Sequence, residues 1–213
     1  MNASIKALEN LFYNYNSQYS QPAFLEISTI ILTDENFLEK VEKFDSAIAK
    51  HSVYKEVGEY AFDLMMIHHL SNFINDEEYL DSKEWLDIED KTIERGTELL
   101  NILLYISEVN EDDVEISIDD FLYEFLLVDE DEFQDEHRIY EDLIVNQDLV
   151  EESLDNILRI SNEIIESSEI KELYTPFILF FQNPNEKLMS KEIYNRLKPS
   201  ERSVLGCLLA FNK

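Results

Sequence analysis

Apolar residues along this chain recur at steps of three and four, which is the spacing of one face of an α-helix. In the first segment Ile5, Leu8, Phe12, Tyr15 and Tyr19 follow this spacing. Similar stripes continue through most of the chain, with short polar links between them. We therefore predict a single all-α domain of about nine to eleven helices, arranged as helical hairpins around one core.

Helix starts are predicted where a short polar side chain precedes an apolar stripe, as at Thr33, Ser52, Ser82 and Ser117, because such residues cap free backbone N–H groups. Ser82 is expected to begin a long helix that continues to Leu103 across Gly96. Ser117 and Asp120 have the spacing of a capping box before the apolar stretch FLYEFLLV. This stretch is apolar around most of its circumference, which predicts a central helix.

Residues 128–143, VDEDEFQDEHRIYEDL, are acidic at eight of sixteen positions, and their spacing predicts an amphipathic helix. Phe133, His137 and Tyr140 fall on one side of that helix, at steps of four and three. We therefore expect His137 near the core. The solvent-facing side carries Asp131, Asp135 and Asp142.

Composition supports a folded helical protein. The chain of 213 residues is 45% hydrophobic, with 13 Phe and 11 Tyr, which excludes a disordered acidic tail. Only three Gly and four Pro are present, whereas folds built from tight turns need more of both. We expect an acidic core domain at residues 1–170. Residues 171–213 are expected to pack on it, as part of the same domain or as a small subdomain.

The chain has no pattern of a secretory or membrane protein. Its N-terminus lacks a basic segment followed by an apolar one, and its longest unbroken apolar run, FILFF, is far below the roughly 20 residues that span a bilayer. The single cysteine, Cys207, excludes an internal disulfide and is expected to be buried. These features favour a cytoplasmic protein.

The formal net charge of −30 is concentrated in one region. Residues 96–170 contain 24 acidic and two basic side chains, whereas residues 171–213 contain four acidic and seven basic ones. Direct nucleic-acid binding is disfavoured, because phosphate contacts need clustered Lys and Arg. An anionic membrane is disfavoured for the same reason. The charge favours a basic partner.

One carboxylate pattern suggests an enzyme instead. The pair Glu39-x-x-Glu42 is followed by Glu56-x-x-Glu59, which resembles the carboxylate pairs of the all-α nucleotide pyrophosphohydrolases. The family pattern ends in Asp, where this chain has Glu59. The resemblance implies a magnesium ion held between two adjacent helices and nucleotide hydrolysis. We keep this as the alternative to a protein without a metal or other cofactor.

The charge distribution leads to two main hypotheses. The first is a non-enzymatic protein that binds a basic protein through an acidic face. It would be an immunity protein or antitoxin that masks a nuclease toxin, or a nucleic-acid mimic that occupies a DNA- or RNA-binding protein. The second is a helical scaffold or regulatory protein whose acids only maintain solubility. The expected binding residues are Asp112, Asp113, Asp120, Glu124, Asp131, Asp135 and Asp142.

Overall fold

The computed structural model describes residues 2–73, 78–128, 138–168, 170–186 and 189–212, and over these residues the chain is helical with no β-strand. The predicted all-α class is confirmed. The α-helices are α1 (Ala3–Asn16), α2 (Ser20–Ile31), α3 (Phe37–Lys50), α4 (Gly58–Leu70), α5 (Lys83–Thr92), α6 (Leu99–Asp112), α7 (Glu141–Val145), α8 (Leu154–Glu163), α9 (Lys171–Gln182), α10 (Lys191–Arg196) and α11 (Pro199–Phe211). Short 3₁₀ helices cover Ser52–Val57, Tyr79–Asp81 and Gln147–Glu151, and a π-helix covers Asp120–Phe125.

The first and last helices are neighbours in the core. Helix α11 packs along α1 and against α9, and α1 also contacts α2 and α4. An ideal Cβ at Gly206 would lie 2.2 Å from Asn14 Nδ2, so a larger residue there would force the Asn14 side chain to move at the contact of α11 with α1. Cys207 is fully buried beside it, as predicted. Residues 171–213 therefore contribute to the same hydrophobic core as the N-terminal helices.

Helices α5 and α6 are separate, although the apolar spacing predicted one helix across Gly96. Gly96 has a φ of +87°, which an α-helix cannot contain. Thr97 donates its backbone N–H and its hydroxyl to the carboxylate of Asp63, over 3.1 and 2.7 Å. This tertiary contact from α4 holds the chain in a turn between the two helices.

The predicted helix over residues 128–143 is also corrected. Residues 129–137, which include Phe133 and His137, lie outside the described residues. Residues 138–140 are not helical, and α7 covers only Glu141–Val145. Arg138 has a φ of +55°, which interrupts a right-handed helix. Tyr140 is nevertheless buried, as its place on the apolar side predicted.

Within the described part of the chain, every helix falls short of the length and apolar character needed to cross a bilayer.

Candidate partner-binding surface

The acidic segment, residues 108–124, runs from the last turn of α6 through an irregular link into the π-helix. It contains no Lys or Arg. All of its acids except Asp120 are exposed. They are Glu108, Glu111, Asp112, Asp113, Glu115, Asp119, Asp120 and Glu124.

These acids lack the ion-pair partners that some acids of the N-terminal helices have. Among the described residues, none of the eight forms an ion pair. Some acids of the N-terminal third form ion pairs with described bases, for example Glu35 with Lys43, and Asp45 and Glu59 with Arg95. The acidic segment thus presents negative charge that this part of the structure leaves uncompensated.

The C-terminal end of α6 is an unfavourable place for such charge. A helix C-terminus carries partial negative charge from its free carbonyl groups and is stabilised by Lys or Arg. The last turn of α6 has no basic residue and ends in Glu111 and Asp112, and Asp113 follows as the C-cap. Asp113 adopts the left-handed conformation, with a φ of 54°, where glycine is usually favoured. Local stability therefore does not explain this choice of residues.

Tyr105 fixes the position of the π-helix relative to α6. Its hydroxyl accepts the backbone N–H of Ser117 over 3.0 Å and lies 3.2 Å from a carboxylate oxygen of Asp120. Burial raises the pKa of Tyr105 to about 12, so the hydroxyl keeps its proton at neutral pH. Asp120 is consequently half-buried and directed toward α6, whereas Glu124 is exposed. Of these two predicted binding residues, Glu124 is the more accessible.

The π-helix contacts the segment that carries Asp142. The ring of Phe121 packs edge-on against Tyr140 at 5.9 Å, and Gln147 donates a long hydrogen bond of 3.5 Å to the Tyr123 hydroxyl. Asp142 itself is half-buried and accepts a hydrogen bond from Ser168 Oγ over 2.7 Å. The predicted binding residues Asp131 and Asp135 lie outside the described residues.

The four glutamates of the magnesium alternative are exposed and are not gathered into one site. Glu56 accepts a hydrogen bond from the Tyr15 hydroxyl over 2.7 Å, and Glu59 pairs with Arg95. Glu39 and Glu42 lie on α3. Within the described ranges there is no group of three or more His, Cys, Asp or Glu side chains that could hold a metal ion.

The burial of one carboxylate, that of Asp63, was not predicted from the sequence. Asp63 is fully buried in α4, and burial raises its pKa well above the usual range. The charges of Glu59 and Glu98 raise this pKa further, while the hydrogen bonds from Thr97 lower it. Its position within the apolar stretch AFDLMM was the available signal. Because it anchors Thr97, we assign Asp63 a structural role.

Comparison of the chain with protein-family models, with curated proteins and with solved structures gave no match.

Proposed function

We propose that this protein binds a basic protein partner through the acidic segment, extended by the acids around Asp142. The observation that carries the proposal is the set of eight acids without an ion-pair partner among the described residues. Lys and Arg side chains of a partner would supply the missing counter-charges.

The energies favour a binding role over a purely structural one. Two like charges about 10 Å apart in water repel by roughly 0.4 kcal/mol, so a dense group of acids lowers the stability of the free protein. A basic partner converts this repulsion into attraction on binding. Complementary charge also accelerates the encounter of the two proteins and favours partners of opposite charge. Salt weakens both effects because it screens the charges.

Two forms of this function differ in the partner. An immunity protein or antitoxin would bind a nuclease toxin and block its substrate groove. A nucleic-acid mimic would occupy the groove of a DNA- or RNA-binding protein. Both partners have clustered Lys and Arg, because both bind phosphate.

The test compares two variants of equal net charge. The first neutralises four exposed acids of the acidic segment, as Glu111→Gln, Asp112→Asn, Asp113→Asn and Glu124→Gln. The matched control neutralises four exposed acids elsewhere, as Glu39→Gln, Glu42→Gln, Glu89→Gln and Asp90→Asn. Each protein is immobilised and used to capture proteins from a cell lysate, and captured basic proteins are purified for titration at 50 and 300 mM salt.

We expect the wild type and the control to capture the same basic protein, with an affinity that falls at high salt. The variant with four neutralised acids in the acidic segment should no longer capture this protein. Equal capture by both variants would overturn the proposal, as would capture that salt does not weaken. A captured nuclease whose activity is inhibited supports the immunity form, whereas release of bound DNA or RNA from a non-nuclease supports mimicry.

A further inference from the structure

Residues 10–33, which run from the second half of α1 through α2, contain a single charged residue, Glu26. At the average of this chain, which is 30% charged, about seven would be expected in a stretch of this length. Glu26 accepts a hydrogen bond from Lys50 over 2.6 Å, and its same oxygen lies 2.8 Å from His51 Nε2. This stretch therefore presents almost no net charge, in a protein whose formal charge is −30.

The solvent-facing side of α2 is largely apolar. Its exposed residues recur at steps of three and four, which places them on one side of the helix: Pro22, Leu25, Thr29 and Leu32. Leu25 and Leu32 are 54% and 58% exposed. The Thr29 hydroxyl donates to the carbonyl of Leu25 over 2.6 Å, so this polar group is satisfied within the helix. An exposed stripe of this kind is typical of an interaction surface.

An open groove of about 660 Å³ between α2 and α3 extends this stripe. Ile30 and Ala47 supply apolar lining, and Thr29 belongs to both the stripe and the groove. The groove is also lined by two lysines and two glutamates, Lys43, Lys50, Glu26 and Glu42. We call the stripe and the groove together the α2–α3 face. Its apolar surface is thus bordered by charges of both signs in equal number.

Charge indicates which partner this face suits. Two copies of a chain with a charge of −30 repel each other over most of their surface. On α5, for example, the exposed Leu86 and Ile93 have the exposed acids Glu89 and Asp90 between them on the same side of the helix. The α2–α3 face has no such excess of acids. A basic partner would gain little there, whereas a second copy would meet both signs of charge.

We propose that the α2–α3 face binds a second copy of this chain in a twofold symmetric dimer. In such a dimer the same face is buried on both copies, so the lysines of each copy can meet the glutamates of the other. The depletion of charge also fits, because the centres of protein interfaces contain few charged residues and homodimer interfaces are especially apolar. The inference is independent of the proposed function, since no residue of the acidic segment belongs to this face.

The size of the face sets the expected strength of the dimer. Helices α2 and α3 have 12 and 14 residues, so each is roughly 18–21 Å long and about 10 Å wide. Side by side they present a projected area of about 400 Å², which is below the roughly 800 Å² that each partner buries in a stable interface. We therefore expect a reversible dimer that forms at high protein concentration.

Sedimentation velocity of the purified full chain at 5, 50 and 500 µM, in 20 and 300 mM salt, tests the proposal. The wild type should shift from monomer to dimer with concentration, and more so at 300 mM salt, because screening weakens the repulsion between two acidic chains. The variant Leu25→Ser/Leu32→Ser should associate at least tenfold more weakly. The matched control Leu86→Ser/Ile93→Ser removes two exposed apolar side chains from α5 and should dimerise like the wild type.

A second pair of variants keeps the test valid if the double serine variant is unstable by circular dichroism. Thr29→Glu adds one carboxylate to each copy within the face and should weaken association. Asn162→Glu adds the same charge at an exposed position of α8 and should not weaken it to the same extent.

Three results would overturn the inference. The first is a wild type that stays monomeric at 500 µM in 300 mM salt, and the second is equal association of the α2 variants and their controls. The third is association that weakens with salt, since this would indicate that acidic and basic regions of two copies attract each other. The proposed function is tested separately, by partner capture with the variant of the acidic segment. A monomeric protein that still captures a basic partner would reject the dimer alone.

Discussion

Neutralising the carboxylates at the C-terminal end of α6 is expected to stabilise the protein while weakening its binding. The variant combines Glu111→Gln, Asp112→Asn and Asp113→Asn. Each acid opposes the helix dipole by about 0.3–1 kcal/mol at low salt, so the three together should add about 1–3 kcal/mol to the free energy of unfolding. For a chain of this length, at about 2–4 °C per kcal/mol, that gain raises Tm by about 2–12 °C.

The backbone of Asp113 allows the charge effect to be separated from the conformational one. Its φ of 54° is tolerated by Asn and favoured by Gly, but not by Ala. Asp113→Asn therefore reports the charge alone, and Asp113→Gly adds relief of backbone strain. Asp113→Ala should lose stability despite removing the charge. We expect the order of stability Gly, then Asn, then wild type, then Ala.

The same charge change at the opposite end of a helix provides the control. Glu39 lies in the first turn of α3, where a negative charge is favourable, so Glu39→Gln should lower stability by about 0.3–1 kcal/mol. Urea unfolding followed by circular dichroism at 20 mM and 500 mM salt measures both series. The reasoning is refuted if both changes have the same sign, or if high salt does not diminish them.

Three further predictions concern the core. Because the pKa of Asp63 is raised in the folded state, the free energy of unfolding should fall as pH rises from about 4 toward that pKa. Urea titrations between pH 4 and 9 measure this slope, which should be flatter in the Asp63→Asn variant. Phe121→Ala should cost about 3–5 kcal/mol in chemical unfolding, and the partly exposed Phe125 should cost less when truncated. Arg202→Ala should lower stability by about 1.5–3 kcal/mol, because its guanidinium donates to the carbonyl of Asn14 over 2.6 Å; an unchanged Tm would contradict this.

The helical class and much of the core could be predicted because they depend on local spacing. Leu8 and Phe12 are fully buried, as the steps of three and four indicated. Tyr19, the last residue of that stripe, is 51% exposed because α1 ends at Asn16. Spacing alone does not show where a helix stops when no strong breaker is present.

The features that escaped prediction depend on contacts between distant residues. The break at Gly96 is stabilised by Asp63, which lies in another helix. The π-helix is positioned by Tyr105, whose hydroxyl bonds Ser117. A cleft beside Asp142 lies between residues 138–146 and residues 160–168, which are about twenty residues apart in the sequence. The apolar periodicity within either segment therefore could not predict it.

The position of the acids, more than their number, favours the proposed binding role over a solubilising one. A solubilising charge acts from any exposed position, so it would avoid the C-terminal end of a helix, where it lowers stability. Asp113 combines that unfavourable end with a left-handed backbone that glycine would adopt more easily. A protein that needed only solubility could carry glycine there and place the acid elsewhere. Retaining three carboxylates at this end is consistent with a partner whose cations restore the lost stability in the complex.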